Sequence, residues 1–128
     1  MVETRPQRLT GGDWPPAITD LERLDALLGP DVYAVHTDHD APDLVQSLEV
    51  LLPKSPRFIG LVGSRRHTGH HLEALRAQGV DEDVIGRIQS PVGLDIGALT
   101  PSEIALSILA GLVAKRRGRD GGWLQDRD

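Results

Sequence analysis

Two short apolar runs, residues 32–35 and 58–62, constrain this chain more than any other feature. Each is too short for a helix and suits a buried strand. Between them lies residues 42–52, where Leu44, Val45, Leu48, Leu51 and Leu52 fall on one helical face, and Pro53 and Pro56 close the segment. Strand, helix and strand in this order make a crossover that joins parallel strands. The class is therefore α/β, with a parallel sheet flanked by helices. Two strands are all that the pattern predicts. A two-stranded parallel sheet is a poor independent unit, and parallel sheets normally have several strands and both faces covered. The chain thus reads as part of a larger sheet, with the first half of the domain missing.

The remaining pattern sets the organisation. Residues 1–19 hold Pro6, Gly11, Gly12, Pro15 and Pro16 without a hydrophobic period, so an irregular N-terminal segment is expected. Residues 20–28 predict a short helix on Leu21, Leu24, Leu27 and Leu28, ended by Gly29-Pro30. A helix over 65–77 ends near Gly79, and a shorter one covers 81–88. Residues 90–99 form a loop. The last helix starts at Thr100, an N-cap followed by Pro101 and by Glu103 at the capping-box position. Its body, residues 104–114, is apolar almost all round, which predicts burial on more than one side. Lys115, Arg116 and Arg117 complement its dipole. The structured domain is expected over 20–117, with a flexible tail over 118–128.

Composition narrows the function classes. Nineteen acids against fourteen bases give a net charge of −5, which argues against a general grip on nucleic acid. With no cysteine, disulfides, thiolate catalysis and cysteine-ligated metal sites are excluded. No run approaches the ~20 apolar residues of a membrane helix. The N-terminus has no apolar segment behind its charges, so no secretory signal is expected and the expected location is the cytoplasm.

Four constellations could carry chemistry. The first runs from the second strand through Gly63 and Ser64 to Arg65 and Arg66, which open a helix. Amides at a helix start, a glycine and two guanidinium groups favour an anion; alternatively Ser64 is an N-cap and the arginines are solvated. The second is the polar stretch His36-Thr37-Asp38-His39-Asp40, at the strand edge where ligands of open α/β sheets bind. It could relay a proton or bind a metal, or it is a polar loop in which Asp38 or Asp40 caps the next helix. Too few certain ligands are present to assign a metal. The third is His67, His70 and His71, which share one helical face; without a His-Glu-x-x-His motif, a solvated face is the expectation. The fourth is the loop with Gly93, Asp95 and Gly97. Its glycines permit unusual backbone, and Asp95 between Leu94 and Ile96 is expected to be sheltered, bonding backbone donors or touching a ligand.

Together these segments resemble the XdhC/CoxI family, specifically its C-terminal Rossmann-like domain. The matching words are Phe58-Ile59-Gly60-Leu61-Val62-Gly63-Ser64-Arg65-Arg66, then Pro91-Val92-Gly93-Leu94-Asp95-Ile96-Gly97, then Thr100-Pro101-Ser102-Glu103-Ile104-Ala105-Leu106-Ser107-Ile108-Leu109-Ala110. Thr37 followed by Asp43 is similar to the family's strand-end segment, although Asp38 stands where the family has a histidine and His39 follows one place later. The resemblance implies a partial Rossmann-like domain and an accessory role in maturing molybdenum hydroxylases of the xanthine and carbon monoxide dehydrogenase type. It implies a cofactor chaperone or binding module rather than an enzyme, with the molybdenum cofactor as ligand and a molybdenum hydroxylase as client. Gly63 to Arg66 would cradle the pterin's phosphate, with Thr37, Asp38 and His39 alongside, and with Gly93, Asp95 and Gly97 shaping the adjoining loop. An NAD(P)-binding oxidoreductase-like domain is an alternative suggested by analogy of fold alone; the family's usual glycine-rich turn before the first strand is absent, so NAD(P) binding is not expected. An alternative is an interaction subunit: a homo-oligomer, or a complex with a chain that supplies the missing strands.

Overall fold

The computed structural model describes residue 23 and residues 28–127. The irregular segment over 1–19 and most of the helix expected over 20–28 lie outside these residues. The fold starts with β1 (Tyr33–His36), α1 (Leu44–Leu51) with a 3-10 turn over Leu52–Lys54, and β2 (Phe58–Leu61). It continues through α2 (Arg65–Ala77), α3 (Glu82–Ile85), β3 (Ile88–Gln89) and α4 (Pro101–Arg116), and a last 3-10 turn covers Leu124–Asp126. The strands form a parallel sheet in the order β1-β2-β3. Tyr33 lies opposite Phe58, and Ile59 opposite Ile88. This is the expected α/β architecture, a Rossmann-like parallel sheet flanked by helices.

The third strand corrects the expectation of two. The sequence pattern predicts one helix over 81–88, but α3 is a single turn, and Ile88 and Gln89 lie beyond it and pair with β2. Two residues are too short to produce an alternating pattern, so the local sequence does not announce this strand. Its isoleucine is buried, and burial beside β2 fixes its place. Among the described residues no strand pairs with the other edge of β1. The central β2 is buried at all four positions, whereas β1 is half-buried throughout.

Successive strand residues point to opposite faces, and the two faces of β2 differ. Ile59 and Leu61 join Leu44, Leu48 and Leu51 of α1, Leu75 of α2 and Ile85 of α3 in the core. The helix expected over 42–52 is therefore present in shortened form with its apolar face inward. On the other face Phe58 stacks on Tyr33, with ring centroids 6.4 Å apart, and Gly60 sits beneath Val92. Arg76 bonds both Glu73 and Glu82 and so ties α2 to α3.

The last helix shows both a success and a failure of the sequence reading. The Thr100 side chain accepts from the Glu103 amide, and the Glu103 carboxylate accepts from the Thr100 amide, so the capping box is complete. Burial on several sides is not found. Ser107 and Ile108 are the buried residues of α4, while Leu106 and Leu109 are each 61 % exposed and Val113 is 52 % exposed. The helix meets the chain along one line, where Ser107 Oγ donates to the Leu94 carbonyl at 2.6 Å and Gly111 lies against Gly93. No helix among the described residues is long and apolar enough to cross a membrane.

Candidate functional site

The C-terminal ends of the three parallel strands define one edge of the sheet. From it emerge the loop after His36, the turn after Leu61 and the loop after Gln89. Hydrogen bonds hold the three together. The Val62 amide donates to the His36 carbonyl, and the Val92 amide donates to the Leu61 carbonyl at 3.0 Å. The Thr68 and Ser90 hydroxyls are 2.7 Å apart, and Thr68 Oγ1 also donates to the Ser64 carbonyl. Thr68 is fully buried.

At the turn, Gly63 adopts φ +125°, a conformation that side chains oppose. A Cβ there would lie 3.0 Å from His39 Nδ1. The second constellation thus meets the first, although 24 positions separate them. Ser64 stands at the N-cap of α2, but its hydroxyl makes no cap bond and instead lies 3.1 Å from His67 Nδ1. The amides of Arg65 and Arg66 have no acceptor among the described residues. Both arginine side chains are exposed. Free amides at the positive end of a helix dipole, with two cations beside them, are suited to an anion.

The histidines form a cluster that the sequence reading missed. The His39 and His67 rings stack with centroids 4.8 Å apart, and His71 Nε2 lies 2.7 Å from the His39 carbonyl oxygen. His70 packs on His71 with centroids 3.8 Å apart. The expectation of a solvated face therefore holds for His67 and His70, which are exposed, and fails for the half-buried His71. The shared face of positions 67 and 71 was the available signal; the partner loop was not. No group of three potential ligands among the described residues could hold a metal ion. Asp38 and Asp40 do not cap α1, whose N-cap is Asp43. Asp38 Oδ1 accepts instead from the Asp40 amide at 3.0 Å, closing a tight turn. Thr37 is exposed.

The fourth constellation faces elsewhere. Gly93 has φ +111°, and a Cβ there would lie 2.4 Å from Ser107 Oγ, so this glycine admits α4. Gly97 has φ +70°, and a Cβ there would meet nothing within 4 Å beyond its chain neighbours. Asp95 is exposed, contrary to the sheltered position expected: Leu94 before it is half-buried against α4, but Ile96 after it is itself 52 % exposed. Alternating apolar neighbours in a short loop do not imply burial when no second layer covers it.

A cleft of about 610 Å³ runs from the N-terminal ends of β2 and β3, beside Arg57 and Arg87, to Arg65 at the site. Its charged lining residues are Arg57, Arg65, Arg87 and Lys115, with no acid among them. Arg57 is held by Asp31 at 2.9 Å, and Arg87 donates to the Pro56 carbonyl. In a chain of net charge −5 this is a localised positive region, and Arg65 links it to the Gly63 turn.

Comparison with known proteins places the fold in a family. The chain matches the XdhC Rossmann domain over residues 1–112. It is 40 % identical over 79 residues to the uncharacterized protein YqeB of Escherichia coli K12, a match covering 62 % of this chain and 15 % of that protein. A crystal structure described as a xanthine dehydrogenase from Bacillus halodurans superposes with a TM-score of 0.62 and 31 % identity, over 80 % of this chain and 30 % of that one. The chain therefore spans less than a third of the length of either relative. Fold, motifs and matched length agree that this chain belongs to the XdhC Rossmann domain family.

Proposed function

We propose that this domain serves the maturation of molybdenum hydroxylases of the xanthine dehydrogenase type, and that the Gly63–Arg66 turn takes the phosphate end of the molybdenum cofactor as cargo. The observation that carries the reading is the pair of unpartnered amides at Arg65 and Arg66, opening a thirteen-residue helix next to a glycine turn in a chain of this family. Each amide supplies an N–H for a phosphate oxygen, and each guanidinium can bind one in a bidentate manner. The cationic cleft that shares Arg65 would favour approach of an anion. His39, on the loop after β1, borders this turn, whereas Gly93 serves the seat of α4; Thr37 and Asp38 precede His39 on the same loop. The role is that of a holder, with no bond made or broken by the chain.

Thermal unfolding with and without a molybdopterin-type cofactor tests this. A ligand that binds the native state raises the melting temperature in proportion to ln(1 + [L]/Kd). The expected result is a rise for the unaltered chain and its loss on Arg65→Ala with Arg66→Ala. Each charged hydrogen bond contributes about 1.5–3 kcal/mol, so the double variant should bind at least 10-fold more weakly. Both arginines are exposed, so the variant should melt like the parent without ligand. No rise at millimolar cofactor, or an undiminished rise in the variant, would overturn the proposal.

A further inference from the structure

The cleft beside β2 and β3 holds more positive charge than the Gly63 turn draws on. Arg57, Arg65, Arg87 and Lys115 reach it from four separate segments, and all four are exposed. Asp31 offsets one of these charges, accepting from Arg57 Nε at 3.1 Å and from Nη2 at 2.9 Å. No acid among the described residues pairs with Arg65, Arg87 or Lys115. Like charges around a concave surface repel one another and focus a positive field into it. A bound anion removes that cost. The floor is apolar, since Phe58 and Ile88 line the cleft and are buried. A volume of about 610 Å³ falls within the roughly 300–1,000 Å³ of small-molecule sites.

The arginines stand at two levels of the sheet. Arg57 immediately precedes β2 and Arg87 immediately precedes β3; because Ile59 pairs with Ile88, both arginines lie at the N-terminal edge. Arg65 opens α2, beyond the C-terminal end of β2. The four residues of β2 separate the two levels, about 13 Å at ~3.3 Å per residue. Arg87 Nη2 donates to the Pro56 carbonyl at 3.1 Å, which orients its guanidinium before any ligand arrives. A small monoanion can satisfy one level only. A ligand with an anionic group at each end satisfies both and lays its uncharged middle along Phe58 and Ile88. Lys115, from the last turn of α4, adds a contact that would also tie this helix to the sheet.

We propose that this cleft is a binding site for an elongated dianion, with one anionic group at the Arg57 and Arg87 level and the other at Arg65. The site goes beyond the cofactor reading and does not rest on it, because Arg57, Arg87 and Lys115 take no part in the Gly63 turn. Isothermal titration calorimetry of the full chain tests it with three probes. Octamethylene bisphosphonate carries two anionic groups at nearly the separation of the two levels. Methylene bisphosphonate carries them side by side, and octylphosphonate carries one on the same apolar chain. The first should bind at least about 10-fold more tightly than either of the others, since it alone makes charged hydrogen bonds at both levels. Arg87→Gln should remove most of that advantage while keeping a donor for the Pro56 carbonyl. Lys115→Gln, at an exposed position of α4, should weaken the long probe without altering the fold. No binding at millimolar probe, equal affinity for the three, or tighter binding of methylene bisphosphonate would overturn the proposal. So would a preference for the long probe that is undiminished in both variants. The melting response to the cofactor is read separately on Arg65→Ala with Arg66→Ala, so either proposal can fail alone.

Discussion

Gly63 faces His39 across the loops that follow two neighbouring strands, so closely that a Cβ on the glycine would lie 3.0 Å from the ring. The contact places the histidine ring over the turn and lets it stack on His67. Gly63→Ala meets two obstacles, a φ of +125° and a ring 3.0 Å from the new methyl. The expected loss is about 1–3 kcal/mol, seen as a lower denaturant midpoint. Adding His39→Ala removes the second obstacle and leaves the first, so rescue should be partial. Full rescue would mean that backbone conformation costs nothing here.

Gly60 tests the other face of the sheet. It is central in β2, and a Cβ would fall 2.4 Å from Val92 Cγ2 and 2.9 Å from Phe58. The limit is space, since the backbone is ordinary strand. Gly60→Ala should cost about 1–3 kcal/mol through overpacking. Combining it with Val92→Ala should recover part of that, because contacting sites couple. Chemical denaturation of the four proteins of the cycle gives the coupling directly; additive losses would show that Val92 is not the obstacle.

These two contacts mark what was legible in the sequence and what was not. The parallel strand–helix–strand unit, the bounds of α2 and the capping box at Thr100 follow from local rules of period and capping, and they are found. The two-residue β3 was not legible, because its place depends on β2 rather than on its own pattern. The meeting of Gly63 with His39 depends on register between distant segments. The exposure of α4 was missed for the opposite reason. An apolar helix predicts burial, but the sequence of one chain does not say whether the burying surface belongs to it.

The core should respond in the usual way to truncation. Leu48 is fully buried between α1 and the sheet. Leu48→Ala should cost about 2–5 kcal/mol, from lost transfer energy and the cavity left behind. Glu49 is its exposed neighbour on the same helix. Glu49→Ala should change stability by no more than about 0.5 kcal/mol. Urea titration of both variants checks the pair. Similar losses would mean that α1 does not face the sheet as described.

The start of α4 should be sensitive to acid. The amides of Thr100, first, and of Leu99 donate to the Glu103 carboxylate and hold its pKa below the ordinary value of 4.5. A carboxyl depressed in the folded state stabilises the fold fully above its unfolded pKa, and that contribution is lost as pH falls through the folded one. The capping box should therefore contribute unchanged from neutrality down to about pH 5 and fade below the unfolded value of 4.5. Glu103→Gln keeps an oxygen that can accept from the amides but cannot titrate. The difference in melting temperature between parent and variant, followed from pH 7 to pH 3, should be largest at neutral pH and shrink on acidification. A difference that stays constant over this range would show that the Glu103 charge contributes nothing to the cap.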